Sequence, residues 1–165
     1  MSKKSLGKAV LIVIALVLFV QSFVPVTMAQ AENRKFEDYL PYSLSSFLNG
    51  YAAITFEDAK FGNHTMGAVL AQGNATFTKN SGFADAEGLP PSYVQGVLSG
   101  SRYNGRNGNS TPLYVSDKNE VRYQNGMYYV NGLPTGMNPD VPHTYTPAYI
   151  SNDFFDFDKA YKHIE

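Results

Sequence analysis

The chain contains no cysteine and no tryptophan among its 165 residues. Without cysteine there is no disulfide framework, no thiolate nucleophile and no thiolate metal ligand, so stability has to come from packing and backbone hydrogen bonds. Histidine is scarce. His64, His143 and His163 stand far apart with no ligand-like spacing, which argues against a metal site. Positive charge is not in excess either, since 13 Lys and Arg face 14 Asp and Glu. The cations are scattered, and nucleic-acid affinity rests on clustered Lys and Arg, so nucleic acid is not an expected partner. A Gly-x-Ser-x-Gly nucleophile elbow is also missing. No cofactor is expected.

What is present begins with one long hydrophobic run. Lys3, Lys4 and Lys8 precede the apolar stretch Ala9 to Val20, and Pro25 and then Ala29-Gln30-Ala31 follow it. A positive flank, an apolar stretch of about a dozen residues and a small-x-small site make the pattern of a secretory signal peptide. The stretch is shorter than the ~20 residues of a spanning helix. Residues 1–31 are therefore expected to be removed, leaving 32–165 as an exported domain with no further membrane contact. The leader carries three of the 13 basic residues and none of the 14 acidic ones, so the remainder holds ten basic against fourteen acidic groups, a net of −4. A cysteine-free exported domain of this size fits a bacterial wall or extracellular protein.

Composition after the leader favours strands, with 12 Tyr and 11 Phe in the chain and glycine, asparagine, serine and threonine crowding the connections. Gly62-Asn63 and Gly73-Asn74 punctuate the stretch Ala59 to Phe77, and both dipeptides tolerate the positive φ of tight corners. Their spacing, a short strand plus a turn, is that of stacked β-coils, and the fold class expected is mainly β and solenoid-like, a β-helix of short strands. Strands are expected at Tyr51 to Phe56, Met66 to Gln72, Ala75 to Thr78, Val94 to Leu98, Leu113 to Ser116, Glu120 to Tyr123 and Met127 to Val130. Asn125-Gly126 reads as a hairpin turn between the last two, and Asn131-Gly132-Leu133-Pro134 closes that unit. Leu40 to Leu48 is either a short helix or a lead-in loop. Gly100 to Thr111 and Pro139 to Pro147 read as polar or proline-rich excursions.

At the end of the chain Asn152, Asp153 and Asp156 are candidate helix caps, and Phe157, Ala160, Tyr161 and Ile164 form one apolar stripe at helical spacing. One packed helix is thus expected to begin near the C-terminus. It has barely begun at Glu165, with no C-cap, so the domain is expected to be incomplete at that end.

These segments resemble the choice-of-anchor A domain family, an adhesive module of exported bacterial proteins. An extended segment, Tyr51 to Phe56, leads into the strand His64-Thr65-Met66-Gly67-Ala68-Val69-Leu70-Ala71 and the corner Gln72-Gly73-Asn74-Ala75-Thr76, and Asp153-Phe154-Phe155-Asp156-Phe157-Asp158-Lys159-Ala160-Tyr161 is similar to the family's helix start. Gln72 departs from the family's usual second glycine, and no sorting signal or hydrophobic tail follows. The resemblance, over Phe47 to Glu165, implies a β-solenoid-like body with a packed helix, carried by surface proteins, and it implies no catalytic residues.

Carboxylates cluster at Glu57-Asp58, at Asp85 with Glu87, and at Asp153, Asp156 and Asp158. Solvation of loops and helix capping account for them. Paired across a sugar, Asp85, Glu87 or Asp153 would instead serve as acid and base of a glycoside hydrolase, and Asp85 with Glu87 offers oxygens to calcium but not a full ligand set. Tyr103, Tyr114, Tyr123, Tyr128 and Tyr129 are amphipathic rings able to stack on a sugar or protein, although core packing claims most such rings. Asn63, Asn74 and Asn109 open glycosylation sequons that read as turn chemistry in a bacterium. Thr76 and Thr78 share a strand face, one copy of the unit that ice-binding solenoids repeat. The function expected is non-enzymatic: an extracellular or cell-surface adhesive or structural domain whose partner is a protein or glycan. The alternative is a secreted carbohydrate-active enzyme on a β-helix.

Overall fold

Apolar runs of three or four residues bury little alone, so each has to be covered on both faces by neighbours. The computed structural model shows how, and it describes residues 27–28, 34–62, 67–78, 89–100, 112–135 and 146–164. After the two-residue strand β1 (Thr27–Met28), a 3-10 turn (Phe36–Asp38) and a short helix α1 (Leu44–Leu48) lead into paired strands. These are β2 (Tyr51–Thr55) and β3 (Ala59–Phe61), β4 (Ala68–Ala71) and β5 (Ala75–Phe77), then β6 (Ser92–Val94) and β7 (Leu98–Gly100). There follow β8 (Leu113–Val115), β9 (Val121–Gln124), β10 (Met127–Val130), β11 (Leu133–Pro134), β12 (Ala148–Ile150) and the helix α2 (Phe157–Ile164).

The first strand of each pair joins a five-stranded sheet of order β12-β8-β6-β4-β2, and the second joins a three-stranded sheet of order β3-β5-β7. Both sheets are parallel throughout. Each pass of chain therefore stacks on the one before it. At the far end β9 leaves this pattern and pairs antiparallel with β1 and β10, and β10 with β11. The protein is mainly β, with parallel strands in stacked sheets and one short C-terminal helix, in line with the expected class at that level.

Alternation along single strands explains the burial on both faces. In β4, Val69 and Ala71 point into a cluster between the sheets with Phe77, Val94, Leu98, Val115, Val121 and Val130. Leu70, between them in sequence, points the other way with Tyr93 and Tyr114. That second face of the five-stranded sheet is covered by aromatics from outside it: Phe36, Phe47, Phe154, Phe155 and Phe157. Phe154 lies flat on Tyr114, centroids 4.1 Å apart, and the Tyr39 and Tyr114 hydroxyls meet at 2.8 Å. Burying each large side chain contributes ~1.5–3 kcal/mol.

Corners are held by side chains. Asp58 Oδ1 accepts from Asn74 N at 2.7 Å, and Asn74 Oδ1 accepts in turn from Val97 N at 2.9 Å. Asn119, buried, reaches back one pass: its Oδ1 accepts from Leu98 N and its Nδ2 donates to the Gly96 carbonyl. Asn131 continues the series, donating to Leu98 O and to Asn119 Oδ1, both at 2.8 Å. Four consecutive passes are thus stapled through one line of short polar side chains.

Three expectations change. Val94 to Leu98 is not one strand: the chain turns at Gln95-Gly96-Val97 and divides it between β6 and β7. Gly73 does not adopt positive φ. Its role is close approach, since a Cβ there would lie 2.4 Å from the Glu57 carbonyl carbon, and one on Gly96 would lie 2.2 Å from Gly73 O. Of the three candidate caps, Asp156 alone caps α2, accepting from Lys159 N at 2.9 Å. Asn152 Oδ1 accepts from Asp117 N, and Asp153 pairs with Lys35. The expected hairpin at Asn125-Gly126 is present, with φ 52° and 78°, and Asn131-Gly132, expected only to close that unit, makes a second with 51° and 77°, the two-positive pattern of type I′ turns.

Candidate functional site: a groove along the first corner

Strand register places the first residue after each strand of the five-stranded sheet in one row. Backbone bonds from Gln72 N to Thr55 O, Gln95 N to Ala71 O, Ser116 N to Val94 O and Ser151 N to Val115 O carry the sheet ladder one residue further. Phe56, Gln72, Gln95 and Ser116 thus stand side by side, about 4.8 Å apart as adjacent strands require. A groove runs along part of this row under the start of α2. It consists of two adjoining cavities of about 340 and 400 Å³ that share Gln72 and Asp158 as walls, each within the size range of small-molecule clefts.

At one end the groove is aromatic. Tyr161, 48% exposed, meets Phe56 edge-on with centroids 5.2 Å apart. The expected apolar stripe of α2 is therefore divided: Phe157 and Ala160 are buried, whereas Tyr161 is on the groove. In the middle are Gln72, Gln95 and Asp158. Among the described residues neither glutamine carboxamide has a hydrogen-bond partner, and Asp158 has no ion pair. At the other end Lys35 and Asp153 pair at 2.8 Å. That hydrogen bond holds the Asp153 carboxyl below the usual carboxylate range and the Lys35 ammonium above the usual lysine value.

Tyr42 ties this end to the helix. Its hydroxyl accepts from Asp156 N at 2.7 Å, its ring stacks on Phe155 at 5.3 Å, and Lys159 Nζ lies over it at 4.2 Å while bonding Glu37 at 3.2 Å. Burial pushes the phenol up to about 12, so it stays protonated well into alkaline pH. The groove's far wall is thus tied together by Tyr42 and Lys159, while its floor presents amides with no partner among the described residues.

The residues singled out in the sequence are scattered. Asp153, Asp156 and Asp158 come together on the groove, the first in an ion pair and the second as a cap. Asp58 is a corner staple and Glu57 is exposed. Tyr114 is buried in the aromatic layer; Tyr123 and Tyr128 face each other across the hairpin at 4.8 Å, and Tyr129 is half-buried beside them. His163, exposed on the last turn of α2, stacks by Tyr42 at 6.5 Å. Thr76 bonds Ser99 and Thr78 bonds the Phe61 carbonyl, so the two threonines serve the sheet. Asn74 is likewise a staple. Asn63, His64, Asp85, Glu87, Tyr103, Asn109 and His143 lie outside the described residues, as does all of the leader except Thr27–Met28. Among the described residues no three potential metal ligands converge, and no helix is long and apolar enough to cross a membrane.

As groove residues Gln72, Gln95, Tyr42 and Tyr161 escaped the sequence reading, which names Gln72 only as a departure from a family glycine and Tyr161 only in the apolar stripe of the last helix. A signal for the glutamines exists: Ala71-Gln-Gly-Asn-Ala75 and Val94-Gln-Gly-Val-Leu98 are two copies of one corner, glycine packing inward and glutamine facing the groove. No curated protein and no solved structure matches the chain. A family model does, over residues 45–165, which takes in both parallel sheets, the C-terminal helix α2 and the groove's floor, while Lys35, Glu37 and Tyr42 of the groove wall precede it. By that match the chain belongs to the family described as "Putative Ice-binding-like adhesive domain".

Proposed function

We propose that this chain is an exported bacterial surface module that attaches to an extracellular protein or polysaccharide and catalyses no reaction. The observation that carries this reading is the adhesive-domain match over residues 45–165. Choice-of-anchor A is the finer family assignment we favour, on the segments around Gly73-Asn74 and Asp153 to Tyr161. The body is a β-solenoid, each pass contributing one strand to either sheet, with α2 packed along it. Sequential parallel pairing from β2 to β12 supports that description. A stapled, stacked scaffold suits a role in which a rigid surface is displayed rather than a site opened and closed.

Residues 1–31 act as a signal peptide in this reading. Cleavage after Ala31 removes β1 and leaves the outer edge of β9 free in the secreted form. Amino-terminal sequencing of the protein recovered from culture medium is expected to begin at Glu32, and recovery of an intact Met1 form only from cells would refute export. Adhesion is tested by retention of the purified protein on immobilised polysaccharides and matrix proteins. Retention without release of new reducing ends is expected; release of reducing ends that disappears in Asp153→Asn would establish the glycoside hydrolase instead.

A further inference from the structure

The groove's chemistry narrows the partner. We infer that it binds a neutral saccharide chain laid along the corner row, with Gln72, Gln95 and Asp158 bonding sugar hydroxyls and Tyr161 stacking on a ring face. This rests on the adhesive reading and gives it a place and a ligand class. Sugar hydroxyls both donate and accept, and a carboxamide offers both functions in one group. Two such groups without partners among the described residues, one strand spacing apart, match a ligand with repeated hydroxyls. Asp158, at the junction of the two cavities, adds carboxylate oxygens that accept from sugar hydroxyls. The half-exposed Tyr161 ring supplies the apolar face that a pyranose needs at one end.

Other occupants fit less well. An extended peptide would add to a sheet edge through main-chain bonds, but the Gln72 and Gln95 amide nitrogens are already engaged to Thr55 and Ala71. An acidic polymer meets repulsion, because the acidic Glu37, Asp153, Asp156 and Asp158 still outnumber Lys35, Lys162 and the Lys159 that pairs with Glu37.

The test is a titration of the isotopically labelled protein with cello-, malto- and chito-oligosaccharides, and with oligogalacturonate as the acidic control, followed by nuclear magnetic resonance. At least one neutral oligosaccharide is expected to shift the Gln72 and Gln95 side-chain amides and the Tyr161 ring, and oligogalacturonate to leave them in place. The double variant Gln72→Ala, Gln95→Ala is expected to bind roughly tenfold more weakly, a loss of ~1.4 kcal/mol, with its thermal midpoint unchanged. If no neutral oligosaccharide moves those signals, or if the double variant binds as the parent does, the groove is not the site. Retention on polysaccharide or protein surfaces separates the two levels: undiminished retention of the double variant overturns the groove alone, while no retention of the parent protein overturns the adhesive reading as well.

Discussion

Single residues settle how tightly the passes are tied. Asn119 is buried and joins Leu98 N, Gly96 O, Ser116 O and Asn131 Nδ2, so truncation strands several backbone groups away from water. Asn119→Ala is expected to cost about 2–3 kcal/mol in urea unfolding, whereas Asn74→Ala, at an exposed staple, costs under ~1 kcal/mol. Equal losses at both sites would show that burial does not govern the staples. The Lys35–Asp153 pair sets a pH dependence. Asp153 is depressed in the folded state, so its contribution is present above the unfolded carboxylate value of ~3.9 and fades as pH falls through the lower folded value. Lys35 is raised, so its contribution is present below ~10.4 and fades as pH rises through the higher folded value. The gap in urea midpoint between the parent and Asp153→Asn should therefore be small, since both side chains are more than half exposed, and should close at both pH extremes. A gap constant from acid to alkali would mean that the pair is not the cause.

Elements differ in how far they could be read beforehand. Met127 to Val130 was legible to the residue, because Asn-Gly on either side fixes both turns and alternation does the rest. The helix start was legible in kind but not in register, since three polar residues offer caps and only packing of Phe154 and Phe155 selects Asp156. The corner at Gln95 to Val97 was hidden, because Val94, Val97 and Leu98 read as one apolar run unless the earlier Gln-Gly is recognised as its counterpart. β3 and β12 were missed because Ala-Lys-Phe and Ala-Tyr-Ile are shorter than any periodic signal. The candidate site was legible only as acidic residues; the groove exists because register aligns glutamines 23 positions apart. Stacking at that corner leaves no room for a side chain on Gly96, so Gly96→Ala is expected to destabilise the β6–β7 pass by at least ~3 kcal/mol or to prevent soluble expression. A variant with the parent's urea midpoint would show that the passes can separate without penalty.

At the scale of the molecule, the two faces of one parallel sheet carry different duties. The inner face meets the three-stranded sheet in an aliphatic cluster, and the outer face meets an aromatic layer contributed by both ends of the described chain, Phe36 and Phe47 from before the strands and Phe154 to Phe157 from after them. The layer is locked by main-chain contact as well, Phe36 N donating to Phe154 O at 2.8 Å. Segments separated by the whole body are thereby closed over the middle passes, and the groove lies where that closure meets the corner row.

The order of the stack has a mechanical meaning. Because β2, β4, β6 and β8 neighbour one another in chain order, a force pulling on this stack meets the passes one after another. Tension along the stacking direction peels hydrogen-bond rungs singly, whereas tension along the strands must shear a whole ladder together. The Asp58, Asn74 and Asn119 staples add a bond between passes in the direction that peels most easily. If the module tethers a cell as proposed, it resists best when the load is drawn along its strands, and the angle of the pull then decides how long the attachment lasts.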